Sequence, residues 1–537
     1  MKKALAIWIF FSFFFVCKTF SQSDDGLMPK IIEKDGRHAL LVDGKPFFML
    51  GGQAHNSSAW PAMMPSVWTA IQKMHANTLE VPIYWEQVEP IAGQFDFSLI
   101  DTLLIQAREH KIRLVLLWFA TWKNGSSHYM PEWMKREPNK FPNQSGLNGK
   151  LSDSPSPNFN ATLEADKKAF AAVMKFLKKA DTMHTVIMMQ VENEPGSWGS
   201  VRDYSASAQK LFEGPVPAEL LKPDLLKSLN HEPAKSGSWQ KIFGEDADEY
   251  FQAWSVARFI DQVAASGKAE YGLPMYINVA LRDPLTHPKA TNYESGGATD
   301  NVIPLWKVAA PHIDLLAPDI YLPGTEVVLK VLELYHRVDN PLFVPEIAFI
   351  PENLKYLYSV LGFGGIGYSP FGIDDNGHAK SEEETTEKFS SIGAEYQIAG
   401  TMMSELAAWS FEDKIRAIVE KDDHAEQALD LGSWKAEVTF GTADRNVIKP
   451  NTNSIGRAMF VKLSPDQFLI TATNCHITFS PSGANEKKAW QYLKVEEGYY
   501  ENGTFHLLRI RNGDETDWGG PRFDNKPVLV RIALILR

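Results

Sequence analysis

The chain has 537 residues, 44% hydrophobic, 22% charged and 12% aromatic. That composition excludes a disordered chain, a collagen-like repeat and a disulfide-stapled miniprotein, and leaves a large globular protein with a full core. A formal charge of −12 gives no electrostatic basis for capturing nucleic acid or an anionic membrane. Its 15 Trp, 16 Tyr and 31 Phe suit uncharged, ring-shaped ligands, sugars among them.

Residues 1–22 read as an export signal, with Lys2 and Lys3 ahead of the apolar run 4–16. That run is shorter than the roughly 20 residues a membrane helix needs, and no later stretch is apolar enough for a transmembrane segment. Export to the periplasm or the extracellular space is the expectation, and loss of Lys2, Lys3 and Lys18 makes the remainder more acidic. Phe14, Phe15 and Val16 precede Cys17 where a bacterial lipoprotein has small residues, so lipid anchoring through Cys17 is the minor alternative. Cys475 is the only other cysteine, which leaves no internal disulfide.

Eight apolar runs then follow, at 46–50, 78–84, 113–119, 186–191, 275–279, 315–320, 342–346 and 365–368. Helical periodicity separates them at 65–75, 98–110, 164–179, 247–265, 325–336, 352–361 and 384–406, with a weak helix around 302–309. The alternation predicts a (β/α)8 TIM barrel over 23–412, with an open doubly wound sheet as the alternative. The long connections 141–160 and 197–245 both follow strands, on the face where barrel sites form. From 413 to 537 the pattern becomes alternating, as in 459–463, 468–472, 505–510 and 528–536, and predicts a smaller all-β, sandwich-like accessory domain.

Acidic groups at strand ends point into the mouth of a barrel. The run TVIMMQVENEPGSWGS carries Gln190, Glu192, Asn193 and Glu194, and PLFVPEIAF carries Glu346. Either carboxylate alone would read as solvated or salt-bridged. Two across one pocket suit glycosidic cleavage, in which one acid protonates the leaving oxygen and one carboxylate attacks or activates water. Two-residue alternation places Glu192 deeper in the same inward row as Glu194, as a supporting group. Gln53 and His55 end the first strand. Tyr84, Trp85 and Glu86 follow the second, Trp118 and Trp122 the third, and Tyr321 the sixth; these are the candidate sugar-binding groups, with Tyr368 or Phe371 as pocket floor. Seven of the 15 Trp lie between Trp60 and Trp198, around the first four strand-to-helix loops.

QVENEPG resembles the Gln-x-Glu-Asn-Glu-x-Gly signature of glycoside hydrolase family 35, the β-galactosidase family. The stretch NTLEVPIYWEQVEPIAGQFDFSLID, 77–101, is similar to that family and to the family 42 β-galactosidases, both in the retaining clan A built on (β/α)8 barrels. The resemblance spans about residues 38–405. It implies Glu194 as acid/base, Glu346 as nucleophile, Asn193 as partner of the sugar 2-hydroxyl, and Tyr321 as a hydrogen-bond partner of the nucleophile. It further implies an exo-acting β-galactosidase that releases galactose from oligo- or polysaccharides by double displacement, with no cofactor or metal. Pro195, where the commoner signature has Tyr, and GGQAHN at the end of the first strand depart from the family. These departures touch the choice of aglycone. An endo-acting β-glycanase of the same clan and a non-catalytic carbohydrate-binding surface protein are the rival readings, and a possible homo-oligomer is left open. GFGGIG at 362–367 matches a dinucleotide-binding pattern but leads from a helix into a strand, the wrong order for such a site.

Overall fold

A computed structural model describes residues 28–374, 382–444, 447–517 and 520–537. The expected export signal, with Cys17, lies outside the described residues. Eight parallel strands close into a barrel: β1 (Met49–Gln53), β2 (Thr78–Tyr84), β3 (Arg113–Lys123), β4 (Val186–Asn193), β5 (Met275–Ala280), β6 (Leu315–Ile320), β7 (Val344–Ala348) and β8 (Gly367–Phe371). β8 pairs with β1 to complete the ring. Strands such as TLEVPIY and VIMMQVEN are buried at every position, because side chains inside the barrel and under the helices are both hidden from water. They therefore read as continuous runs and not as alternating ones.

The outer layer comprises α1 (Met64–Met74), α2 (Ser98–His110), α3 (Asn160–Ala180), α4 (Ala247–Glu270), α5 (Ile303–Ala309), α6 (Thr325–Tyr335), α7 (Lys355–Gly362), α8 (Glu382–Thr401) and α9 (Met403–Phe411). α1 begins with a proline in its first turn and ends at His75 in the left-handed region. GFGGIG is the turn from α7 into β8, where Gly364 has φ 83° and Gly365 N–H donates to Val360 O at 2.8 Å.

Several boundaries differ from the sequence reading. The first barrel strand begins at Met49 because residues Lys45–Phe47 complete a three-stranded antiparallel sheet with Lys30–Lys34 and Arg37–Val42. The single helix expected at 384–406 breaks into α8 and α9. The connection 141–160 contains a two-stranded hairpin, Asn143–Ser145 with Leu151–Pro155, and 197–245 contains the short helices Ala206–Phe212, Pro223–Ser228 and Trp239–Phe243.

Beyond α9 a six-stranded antiparallel sheet and a four-stranded one share a second core that includes Trp434, Phe460, Phe468, Phe479 and Ile532. The chain is thus a TIM barrel followed by all-β sheets. Buried polar contacts tie the two parts together. Arg457 Nε donates to Glu395 Oε1 of α8 at 2.9 Å, and Lys355 Nζ reaches Glu420 O at 2.9 Å and Ser454 O at 2.6 Å. Among the described residues no helix is long and apolar enough to cross a membrane.

Candidate active site

The carboxyl ends of β4, β6 and β7 bring three acids together. Glu194, Asp319 and Glu346 each present an oxygen within 4.8 Å of the other two. Asp319 lies opposite Glu346 in the β6–β7 register. Gln53 Nε2, from the end of β1, donates to Glu346 Oε1 at 2.9 Å, and the Tyr321 hydroxyl lies near the same carboxylate. Asn278 of β5 bridges the remaining two acids: its Oδ1 accepts from Glu194 N–H at 2.9 Å and its Nδ2 donates to Asp319 Oδ2 at 2.6 Å.

The backbone that carries Glu194 is strained. Glu192 has φ 66° and Glu194 φ 41°, the left-handed region in which a non-glycine residue costs about 1–3 kcal/mol. Asn278 holds it from one side. From the other, Asn124 N–H donates to Asn193 O at 3.2 Å and Gly125 N–H to Glu194 O at 3.0 Å. The two left-handed residues also break the alternation that put Glu192 and Glu194 in one inward row. Glu192 Oε2 instead accepts from Trp122 N–H at 2.7 Å, and its carboxyl lies beside that of Asp166 on α3. Burial and the Asp166 charge push its pKa well above the ordinary value.

Burial is the largest influence on each of the three clustered acids and raises all of them. Glu346 is pushed up to about 7 by burial and the Glu194 charge, against Lys123 and the hydrogen bonds from Asp319 and Gln53. Glu194 is raised by burial, and Lys123 and the Asp319 hydrogen bond oppose the rise. Asp319 goes well above its usual range through burial and the charges of Glu346 and Glu194. The rise favours its protonated form. Lys123, itself buried at the end of β3, is the cation that faces the group.

The aromatic residues divide unevenly. Trp85 and Trp118, expected at the mouth, lie fully buried against one another in the core, with indole N–H groups donating to Glu89 Oε2 and Asp166 Oδ1, both at 2.9 Å. Trp118 faces out from β3 toward the helix layer, and a buried ring at a strand end can pack on either side. Trp122 is likewise buried, edge-on to Phe259 of α4. Tyr84 is buried between Tyr129 and Trp60, whose ring takes the exposed position. Glu86 is on the rim, paired with Lys135 at 3.4 Å. Tyr368 is buried and donates to Asn353 O. His55 and Phe371 meet edge to face at the mouth, and Asp374 Oδ1 accepts from His55 N–H at 2.9 Å.

Lys123, Asn278, Asp319, Glu294 and Asp374 were not singled out from the sequence. The first three had a signal, a lone polar residue inside or ending an apolar run (WFATWK, MYINVA, LLAPDI). Glu294 had none, because it comes from the irregular connection after β5. Asn193 is fully buried with neither amide atom partnered, and Gln53 Oε1, Asp319 Oδ1 and both Glu294 oxygens are also buried without a hydrogen bond. Buried polar atoms in folded proteins are seldom left so, and their concentration here marks a site built to hydrogen-bond a polar ligand. The three acids are spaced closely enough to ligate a cation. Donors already directed at them from Gln53, Asn278 and Tyr321, with Lys123 beside them, fit a proton-sharing carboxyl group better.

Residues 57–256 match the family model described as Beta-galactosidase (glycoside hydrolase family 42), and residues 392–520 match one described as a domain of unknown function, DUF5597. A segment of 119 residues is 30% identical to Beta-galactosidase 11 of Arabidopsis thaliana, covering 21% of this chain and 14% of that protein. A segment of 177 residues is 27% identical to a beta-galactosidase of Xanthomonas manihotis, covering 32% and 27%. The chain thus spans well under half the length of these curated relatives. Among solved structures, a beta-galactosidase from Bacillus circulans sp. alkalophilus aligns with TM-score 0.49 and 15% identity over 67% of this chain and 57% of that one. One from Rahnella sp. R3 aligns with TM-score 0.48 and 15% identity over 70% and 59%. The family match and the relatives support the resemblance to clan A glycosidases of the family 35 and 42 kind.

Proposed function

We propose that the protein is a retaining, exo-acting β-galactosidase in which Glu346 is the nucleophile and Glu194 the acid/base. The observation that carries this reading is the approach of the two carboxyls, with oxygens within 4.8 Å. Retaining glycosidases hold the pair roughly 5–5.5 Å apart, whereas inverting ones leave about 6.5–9.5 Å for a water. The family match over 57–256 and the β-galactosidase relatives support galactose as the sugar released.

The chemistry follows from the partners. Gln53 donates to Glu346 and opposes the rise that burial and the Glu194 charge impose on it, and in the proposed cycle Glu346 reacts ionised while Glu194 carries the proton. Glu346 attacks the anomeric carbon of the β-linked sugar while Glu194 gives its proton to the departing glycosidic oxygen, which leaves the sugar covalently held on Glu346 in the inverted, α configuration. Glu194, now ionised, takes a proton from water, the water oxygen attacks the same carbon, and the Glu346 ester breaks. Asn193, with an unpartnered amide beside Glu194, is the donor for the sugar 2-hydroxyl. Export of the chain, through the segment 1–22, would place this chemistry on external carbohydrate.

The test is hydrolysis of an aryl β-galactoside and galactose-bearing oligosaccharides by purified protein, with the first-formed anomer followed by NMR. β-Galactose as first product supports the reading. α-Galactose would indicate inversion, and no monosaccharide from any substrate would end the exo reading.

A further inference from the structure

Two carboxyls that the proposed chemistry does not use lie together between the barrel wall and the helix layer. Glu192 leaves β4 toward the helices, and Asp166 of α3 meets it there; both are fully buried. Three of their four oxygens have donors. Asp166 Oδ1 accepts from Trp118 Nε1 at 2.9 Å, Asp166 Oδ2 from the Thr121 hydroxyl, and Glu192 Oε2 from Trp122 N–H at 2.7 Å. Glu192 Oε1 has none. Two ionised carboxylates side by side and out of reach of water would repel, and the unpaired oxygen would add the cost of a lost hydrogen bond. A single proton removes both penalties: on Glu192 Oε1 it gives the orphan oxygen a partner and leaves the pair with one negative charge.

The direction of that bond follows from the donors. Both Asp166 oxygens already accept, which favours its ionised form, whereas Glu192 accepts once. Burial is the largest influence on each and raises both; Asp166 raises Glu192 further, and Glu192 in turn lowers Asp166. The neighbours facing the pair are neutral or acidic. β3 presents Trp118, Thr121 and the Trp122 backbone, α4 sets the Phe259 ring against Trp122, and Glu89, which accepts from Trp85 and Gly93, also raises Asp166. Lys123 acts on Glu194, Glu294 and Glu346 instead.

The pair occupies a gap in the barrel ladder. Trp118 stands opposite Val191 and Lys123 opposite Asn193, so a five-residue step along β3 faces a two-residue step along β4 and regular pairing is lost between them. Across that gap Glu192 takes the Trp122 N–H, and Asp166 takes Trp118 and Thr121. Trp122 directly precedes Lys123, the cation facing the clustered acids, and then Asn124 and Gly125, which donate to Asn193 O and Glu194 O. Glu192 itself is two residues before Glu194, at φ 66°.

We infer that Glu192 is a positioning residue: a proton on its Oε1, shared with Asp166, latches the ends of β3 and β4 to α3 and so holds Glu194 and Lys123 in place. The inference rests on the β-galactosidase reading for the role of Glu194 and adds to it an alkaline limit set outside the active site. With the folded pKa of Glu192 raised, the latch is closed on the acid side and opens as pH rises through that pKa.

The test follows kcat/KM on β-galactosyl fluoride, whose fluoride departs without a proton from Glu194, against pH in wild type and Glu192→Gln. Circular dichroism confirms that both are folded at each pH. The Gln amide keeps a donor toward Asp166 and an acceptor for Trp122 N–H but has no proton to lose. Wild type should lose about tenfold per pH unit above the latch pKa, and Glu192→Gln should stay within about threefold of its own neutral-pH value over the same range. Coincident alkaline limbs overturn the inference. Glu192→Met, close in volume but without polar atoms at its end, should lower kcat/KM at neutral pH by about tenfold or more relative to Glu192→Gln, and equal values also overturn it. Infrared difference spectroscopy reads the pair whether or not any substrate turns over: wild type minus Glu192→Gln should contain the band of one protonated carboxyl, shifted in D2O. Absence of that band overturns the inference. Its presence in a protein inactive on every galactoside supports the shared proton and counts against the β-galactosidase reading instead.

Discussion

Replacing Asp319 by alanine should move the acid limb of the pH profile upward. Asp319 lies between Glu194 and Glu346, held by Asn278 Nδ2 at 2.6 Å, and faces Lys123 and Tyr321 across the group. Burial first, and then the charges of Glu346 and Glu194, raise its pKa, and in its protonated form Asp319 would supply a donor to the nucleophile. A hydrogen bond to a charged group contributes about 1.5–3 kcal/mol, which at about 1.4 kcal/mol per pKa unit is roughly 1–2 units. Without that donor the pKa of Glu346, now about 7, rises. Since the nucleophile works ionised, kcat/KM for β-galactosyl fluoride should lose activity at low pH with its midpoint displaced upward by about 1–2 units. Fluoride needs no proton to depart, which isolates Glu346 in this profile. Asp319→Asn keeps an N–H donor and should return the midpoint close to wild type. An ionised Asp319 about 5 Å away would contribute about 3 kcal/mol of repulsion at an effective dielectric of 20, and its removal would lower the midpoint by about two units. A downward shift, or none, would refute the neutral-acid role.

Glu194→Gln should cut disaccharide hydrolysis by about 10²–10⁴-fold and release of fluoride far less, measured as initial rates; equal losses would place Glu194 outside proton transfer. Glu80, buried in β2 and accepting from Tyr276 OH at 2.9 Å, is raised from 4.5 to about 8, chiefly by burial. A carboxyl with a raised folded pKa contributes stability that is complete below about pH 4.5 and lost as pH climbs toward about 8, at about 1.4 kcal/mol per unit. Glu80→Gln should therefore flatten the fall in unfolding free energy between pH 5 and 8, and a slope identical to wild type in urea titrations would contradict this. Arg457→Met leaves Glu395 buried and unpaired between α8 and the β sheets, and should cost about 3–5 kcal/mol in urea unfolding. A loss below about 1 kcal/mol would show that the pair does little.

Much of the barrel was legible because a strand buried on both faces is written as an unbroken apolar run, and eight such runs alternated with helical periodicity. Glu346 and Glu194 stood out for the complementary reason: a charge that ends an apolar run has few places to go except the mouth. The same logic applies to Lys123 and Asp319, which end or nearly end β3 and β6. Glu192 was misplaced because alternation presumes extended backbone, and left-handed residues at 192 and 194 turn the side chains apart. The tryptophans were harder. A ring at a strand end has the same sequence signature whether it faces the pocket or the helix layer, and Trp118 chose Asp166. Glu294 reaches the site only because the Ser197–Ser295 bridge draws two loops together, a long-range pairing with no local trace.

The most direct measurement of the central claim is covalent trapping with 2-deoxy-2-fluoro-β-galactosyl fluoride, followed by mass spectrometry of the digested protein. The 2-fluorine slows both steps and the fluoride leaving group rescues the first, so the glycosyl-enzyme accumulates. The account predicts one added fluorogalactosyl group, on Glu346. An adduct on Glu194 or Asp319, or steady turnover of natural substrate with no adduct formed, would contradict it.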